Sequence, residues 1–103
     1  MGNRQRNIES IFIVVFSSTN YGLRLYKILK DKHYDVYMIS TPCTISDGCS
    51  RAIQVFKDDI EEVVDEIDKG EIIISGIYKR IIRNGRYAYK SVSSEEIREE
   101  VRG

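Results

Sequence analysis

Cys43 and Cys49 are the residues of this sequence with the widest covalent repertoire. They enclose Thr44-Ile45-Ser46-Asp47-Gly48 in a C-x5-C spacing. A cysteine reacts as its thiolate, so its chemistry depends on what lowers its pKa: a nearby cation, a helix N-terminus or a metal. A resident metal is not expected. His33 is the single histidine, so one chain cannot assemble a four-ligand zinc site, and the cysteine spacing does not suit a two-cysteine soft-metal loop. In a reducing compartment a structural bridge between the two is disfavoured. The competing reading is that both are small buried hydrophobes, since cysteine is among the most buried residue types. Arg51, two residues past Cys49, is the nearest cation in sequence.

The elements on either side decide what these thiols meet. Ile11 to Phe16 is a continuous run of β-branched and aromatic residues, the pattern of a central strand buried on both faces. Ser17-Ser18-Thr19-Asn20 follows, a cluster of helix-capping types. Tyr21, Leu25, Ile28 and Leu29 then form a helical stripe that ends near His33. Asp35 to Ser40 alternates as a second strand. Thr41 to Gly48 is a loop with Pro42, Ser46, Asp47 and Gly48. Ala52 to Phe56 is a third strand. Asp58 with Glu61 resembles a capping box, ahead of the stripe Ile60, Val63, Val64 and Ile67, which Gly70 stops. Ile72-Ile73-Ile74 opens a fourth strand.

The order βαββαβ predicts an α+β fold, a ferredoxin-like two-layer sandwich with strand order 4-1-3-2. Arg83-Asn84-Gly85-Arg86 is a type I′ hairpin signal between Ile81-Ile82 and Tyr87-Ala88-Tyr89, so the fourth strand folds back as an added fifth. Ser93 with Glu96 caps a short terminal helix carrying Ile97 and Val101 on a thin stripe. In this topology the loop after strand two sits at the end of the sheet where the first helix begins. The free amides of Ser18, Thr19, Asn20 and Tyr21 and the positive end of the helix dipole then face the cysteine loop and favour a thiolate.

Composition narrows the classes of function. The chain has 103 residues, 42% hydrophobic and 31% charged, with 16 Lys+Arg against 16 Asp+Glu. One domain of that balance is neither disordered nor disulfide-stapled, and its zero net charge advertises neither nucleic acid nor membrane. The longest apolar run, Ile11 to Phe16, is too short for a membrane span, and a cytoplasmic location is expected. The stretch from Lys57 to Glu71 carries eight acids, Asp58, Asp59, Glu61, Glu62, Asp65, Glu66, Asp68 and Glu71, read as a solvated helix face. The hairpin Lys79 to Lys90 is its opposite: five cations, no acid and interleaved tyrosines. A charged edge that resists aggregation is the expectation there. RNA binding is a weaker reading, and a homodimer apposing hairpin and acidic helix is another.

Ile11 to Phe16, Ser18-Thr19-Asn20-Tyr21, Leu29, Thr41-Pro42, Ile45-Ser46, Cys49 and Ala52-Ile53 together resemble the selenium/sulfur (Se/S) carrier protein-like family of small bacterial domains. Its pattern has a strand ending in a Ser-Thr-x-Tyr-like helix start, then Thr-Pro-Arg-x-Ile-Ser-x-x-Cys-Gly before a small-apolar strand. This chain departs from it at Cys43, where the family has Arg, and at Ser50, where it has Gly. The resemblance implies a βαββαβ domain over residues 10–78, after a polar segment 1–9 and before a hairpin and helix at 79–103 packed on the same domain. It implies that Cys49 is the carrier thiol, holding a persulfide or selenopersulfide transiently, with no resident cofactor or metal. Cys43 then stands as a possible resolving thiol. Thr41, Pro42, Ser46 and Arg51 frame the loop. The implied partners are sulfur- or selenium-donor and acceptor proteins, and the implied role is an accessory one rather than that of a turnover enzyme. The alternative is a non-enzymatic binding or regulatory module in which the cysteines are incidental.

Overall fold

The computed structural model describes residues 11–16, 18–42, 44–45 and 51–102. The chain runs β1 (Ile11–Phe16), α1 (Thr19–Asp31), β2 (Tyr37–Ser40), β3 (Arg51–Phe56), α2 (Lys57–Lys69), β4 (Ile74–Arg83), β5 (Arg86–Val92) and α3 (Ser94–Arg102). The strands form one five-stranded sheet in the order β2-β3-β1-β4-β5, and every pair is antiparallel. The fold class is therefore α+β, with three helices on a five-stranded antiparallel sheet.

Central placement explains why β1 is apolar throughout. Phe12, Val14 and Phe16 point into the larger core with Leu25 and Leu29 of α1, Ile60, Val63, Val64 and Ile67 of α2, and Ile97 of α3. Ile11, Ile13 and Val15 point to the other face, where Ala52 joins them under Ile39, Ile45, Phe56, Tyr78 and Tyr89. A strand with cores on both sides leaves no position for a polar residue.

Several boundaries follow the sequence signals and others shift. At the hairpin, Asn84 (φ 56°) and Gly85 (φ 76°) are both left-handed, as a type I′ turn requires, and Arg83 pairs with Arg86. The Ser93–Glu96 box is formed: Glu96 Oε1 accepts from Ser93 N–H at 2.8 Å, and Ser93 Oγ accepts from Glu96 N–H at 3.1 Å. At α2, by contrast, the expected Asp58 cap is not used. The helix begins at Lys57 behind Phe56, with no side-chain cap, and Asp58 and Asp59 fall in its first turn. There the two carboxylates favour the helix through its dipole instead.

The helix ends are also not where glycine would put them. After α1, Tyr34 N–H reaches Leu29 C=O (3.0 Å) and His33 N–H reaches Lys30 C=O (2.9 Å), with His33 at φ 67°. After α2, Ile72 N–H reaches Ile67 C=O (3.0 Å) and Glu71 N–H reaches Asp68 C=O (3.3 Å), with Glu71 at φ 52°. Both are Schellman closures with a non-glycine residue in the left-handed position. Gly70, expected to stop α2, is the right-handed residue before it. Ile72 is drawn into the closure and buried, so β4 starts at Ile74 rather than at Ile72.

The acidic face of α2 is not wholly solvated. Glu66 is only 8% exposed, and the Lys32 ammonium lies 2.5 Å from its Oε2, tying the end of α1 to α2. The hydrogen bond to Glu66 holds the Lys32 pKa above its ordinary value. Burial, with Glu62 and Glu66 nearby, pushes the Tyr34 phenol up as well. Both groups are favoured in their protonated forms by folding. Their contribution is complete below the unfolded pKa values and is lost as pH rises through the folded ones. Stability to urea is therefore expected to fall above about pH 10, where unfolded tyrosine and lysine begin to titrate. A Lys32→Met/Tyr34→Phe variant followed over the same pH range should lose less of its own stability.

Candidate functional site

Three element ends converge at one edge of the sheet. Val15 near the end of β1 pairs with Ala52 near the start of β3, and Ala52 pairs in turn with Ile39 of β2. Ser40, the last residue of β2, faces Arg51, the first of β3. The β2–β3 loop therefore leaves and returns at the end of the sheet where β1 hands over to α1.

The start of α1 is built by Ser18. Its backbone is extended, its carbonyl accepts the first helical bond from Gly22 N–H (3.2 Å), and its Oγ accepts from Tyr21 N–H at 3.5 Å. The amides of Thr19 and Asn20 precede that first bond, at the positive end of the dipole. No acidic residue occupies the first turn of α1. Thr19 and Asn20 are exposed, whereas the Tyr21 ring packs against the core and its N–H is taken by Ser18 Oγ, so the expected free amide of Tyr21 is not offered here.

A cavity of about 240 Å³ lies beside this helix start, lined by Thr19, Gly22, Leu23, Met38 and Arg51. It is small by the standard of ligand pockets, yet roomier than the cavity of about 150 Å³ that takes benzene, and so suits a small ligand or side chain. The Arg51 guanidinium and the α1 terminus both favour negative charge there, while Leu23 and Met38 make the remaining wall apolar. Arg24 donates from Nη2 to Gly70 C=O (3.4 Å), linking α1 to the end of α2.

The loop itself is anchored at its start. Thr41 is buried, at 6% exposure, and Ile45 N–H donates to Pro42 C=O at 2.9 Å. Ile45 then packs against the helix-free face of the sheet. Cys43, Ser46 and Cys49 lie outside the described residues. Among the expected site residues, the structure thus gathers Ser18, Thr19, Asn20, Arg51, Thr41 and Pro42 at one end of the sheet. Gly22, Leu23 and Met38 were not anticipated in this role. Gly22 had a signal, a glycine inside a helical stripe, which marks a close approach. Leu23 had only its place off that stripe. No group of three or more potential metal ligands occurs among the described residues, and no described helix is long and apolar enough to cross a membrane.

Residues 12–79 match the family model described as "Putative Se/S carrier protein-like". The matched span runs from β1 into β4 and includes α1, both cysteines and Arg51, while most of the β4–β5 hairpin and α3 lie beyond it. No curated protein and no solved structure matches the chain.

Proposed function

This chain belongs to the Se/S carrier protein-like family, and from that membership we propose that it carries sulfur or selenium on Cys49 for delivery to a partner protein. The observation that carries the reading is the strand register. It brings Ser40 and Arg51, the two ends of the β2–β3 connection, to the end of the sheet where α1 starts, and Arg51 lines the adjoining cavity. A helix N-terminus and a guanidinium are two of the features that lower a thiol pKa. We read the architecture as ferredoxin-like, a rigid platform with its loop at one end.

The chemistry needs no general base. The Cys49 thiolate attacks the outer sulfur of a donor persulfide. The donor S–S bond breaks, the donor leaves as a thiolate, and Cys49 becomes the persulfide with no net oxidation. Selenium follows the same course as a selenopersulfide. Cys43 can then attack the Cys49 sulfur, expelling hydrosulfide and leaving a Cys43–Cys49 disulfide that a cellular dithiol must reduce. Thr41 and Pro42 fix where the loop starts, and Ser46 supplies a polar loop position. Such a protein works in the cytoplasm as an accessory to the enzymes that supply and use the sulfur.

The test is intact mass after incubation with a cysteine desulfurase and cysteine. The wild type should gain one or more sulfur atoms reversibly under reductant, Cys43→Ser should still load, and Cys49→Ser should not. At neutral pH, Arg51→Ala should slow alkylation of Cys49 about two- to fivefold, the effect of one charge worth roughly 0.3–1 kcal/mol beside a helix end. No mass gain on the reduced wild type, with both thiols slow to alkylate, would move the assignment to a binding module that uses the cavity.

A further inference from the structure

The hairpin outruns the sheet at the end opposite the candidate site. The last pairing of β1 with β4 is Phe12 with Lys79, whereas β4 and β5 continue to pair with each other as far as Arg83 and Arg86. At the rise of a strand, the two-stranded ribbon reaches roughly 13 Å further. A bare two-stranded ribbon is marginal in water. This one is stiffened by its Asn84-Gly85 turn and by the Arg80 guanidinium, which lies over the Tyr87 ring at 4.0 Å. It nevertheless exposes Ile82 (54%) and Tyr87 (56%) as a cross-strand pair on one face. Arg83 and Arg86 stand exposed at its tip, and residues 79–90 contain five cations and no acid.

The compensating charge starts at the same end of the molecule. Phe56, the residue before α2, pairs with Ile11 at the start of β1. The first two turns of α2 therefore begin level with the base of the ribbon, and they carry Asp58, Asp59, Glu61 and Glu62. β3, which leads into them, lies on the opposite side of β1 from β4 and β5. A half-turn about an axis normal to the sheet at this end exchanges the two sides. Two copies meeting end to end would then each lay a basic ribbon along the other's β3–α2 corner.

We infer that a second copy of this chain docks at this end, the basic ribbon of each copy lying against the acidic start of α2 of the other about a two-fold axis. The contact is self-complementary and closes at two. Sequence neutrality supports it: the net charge is zero, yet the charge is segregated between ribbon and helix. Pairing along the outer edge of β5 in the register centred on Ala88 is disfavoured, because Arg86 of one copy would oppose Lys90 of the other. Ser40 and Arg51, which bound the β2–β3 connection, stay at the far end of each copy, so the inference holds whether or not Cys49 carries sulfur.

Sedimentation velocity on the full chain tests it, with the wild type, Arg83→Glu/Arg86→Glu, Glu61→Lys/Glu62→Lys and an equimolar mixture of the two variants. Circular dichroism checks that each variant folds. The wild type should be dimeric at low salt, with its dissociation constant at least about tenfold higher in roughly 0.5 M salt. Each variant alone should be monomeric. Their mixture should re-form a one-to-one dimer, since both contacts then regain opposite charges. A wild type that stays monomeric at low salt and high concentration overturns the inference. So does a dimeric Arg83→Glu/Arg86→Glu protein, or a mixture that stays monomeric. A monomer that binds oligouridylate and loses this binding in Arg83→Glu/Arg86→Glu would assign the ribbon to RNA instead.

Discussion

Gly22→Val is expected to destabilise the fold by about 2–3 kcal/mol, the range for forcing extra atoms into a packed contact. A Cβ at Gly22 would lie 2.8 Å from Phe16 Cδ2, 3.1 Å from Cε2 and 3.2 Å from Cγ. Phe16 is itself 3% exposed, so its ring has little room to retreat. The helix must lift instead, and the part that lifts is its first turn, where Ser18 caps and Thr19 lines the cavity. Alanine isolates the clash. In a helix interior, Gly→Ala is ordinarily worth about 0.5–1 kcal/mol in favour of the fold. Here the close approach should reverse that sign. Urea unfolding of Gly22→Ala and Gly22→Val, alone and combined with Phe16→Leu, measures it. The smaller ring should recover part of the loss, a non-additivity expected of residues in contact. A Gly22→Ala protein more stable than the wild type would mean that Phe16 yields freely.

The same two residues show what the sequence makes legible. Phe16 reads as the end of a buried strand from its apolar run, and β1 falls on Ile11–Phe16 as that run predicts. Gly22 reads only as a gap in a stripe, because the ring it accommodates belongs to another element. Signals that act within a few residues are therefore the readable ones. The Asn84-Gly85 turn and the Ser93–Glu96 box are local, and both form as expected. The misjudged features answer to distant partners. Asp58 is displaced as a cap because pairing with Ile11 of β1 keeps Phe56 in β3 and carries that strand directly into α2. Glu66 is buried because Lys32 meets it from another helix, 34 residues away in the chain. The left-handed residues fall at His33 and Glu71, where the following Tyr34 and Ile72 are drawn toward the core.

At the site the division is similar. Ser18, Thr19 and Asn20 were legible as a helix start, and the strand order brings Ser40 and Arg51, which bound the β2–β3 connection, to that end of the sheet. Leu23, Met38 and Arg51 share one cavity because α1, β2 and β3 meet there, and no spacing in the chain encodes that meeting. The proposed role of Cys49 comes from the motif. What the described residues contribute is a cavity lined by Arg51 beside the α1 N-terminus, with Leu23 and Met38 as apolar wall.

The second large effect is expected at α3. Ile97→Ala should lower stability by about 2–4 kcal/mol, as for other fully buried aliphatic truncations. Ile97 is 1% exposed and belongs to the main core cluster, so it anchors α3 to the core. The other attachments are weaker. The Ser93 cap is worth about 1 kcal/mol. The ion pairs of Arg98 with Asp65 (2.9 Å) and Asp68 (3.5 Å) are partly exposed and contribute roughly 0–1 kcal/mol each. A helix of nine residues does not persist in water by itself. Among the described side chains, loss of Ile97 therefore leaves only these weaker contacts to hold α3 on α2. Hydrogen exchange should show the α3 amides opening well below the global unfolding free energy, while those of β1 report the global value. The urea m-value should fall too, because the variant buries less surface before it unfolds. A loss below about 1 kcal/mol, with α3 amides as protected as those of β1, would mean that the polar contacts hold the helix and that Ile97 merely fills space beneath it.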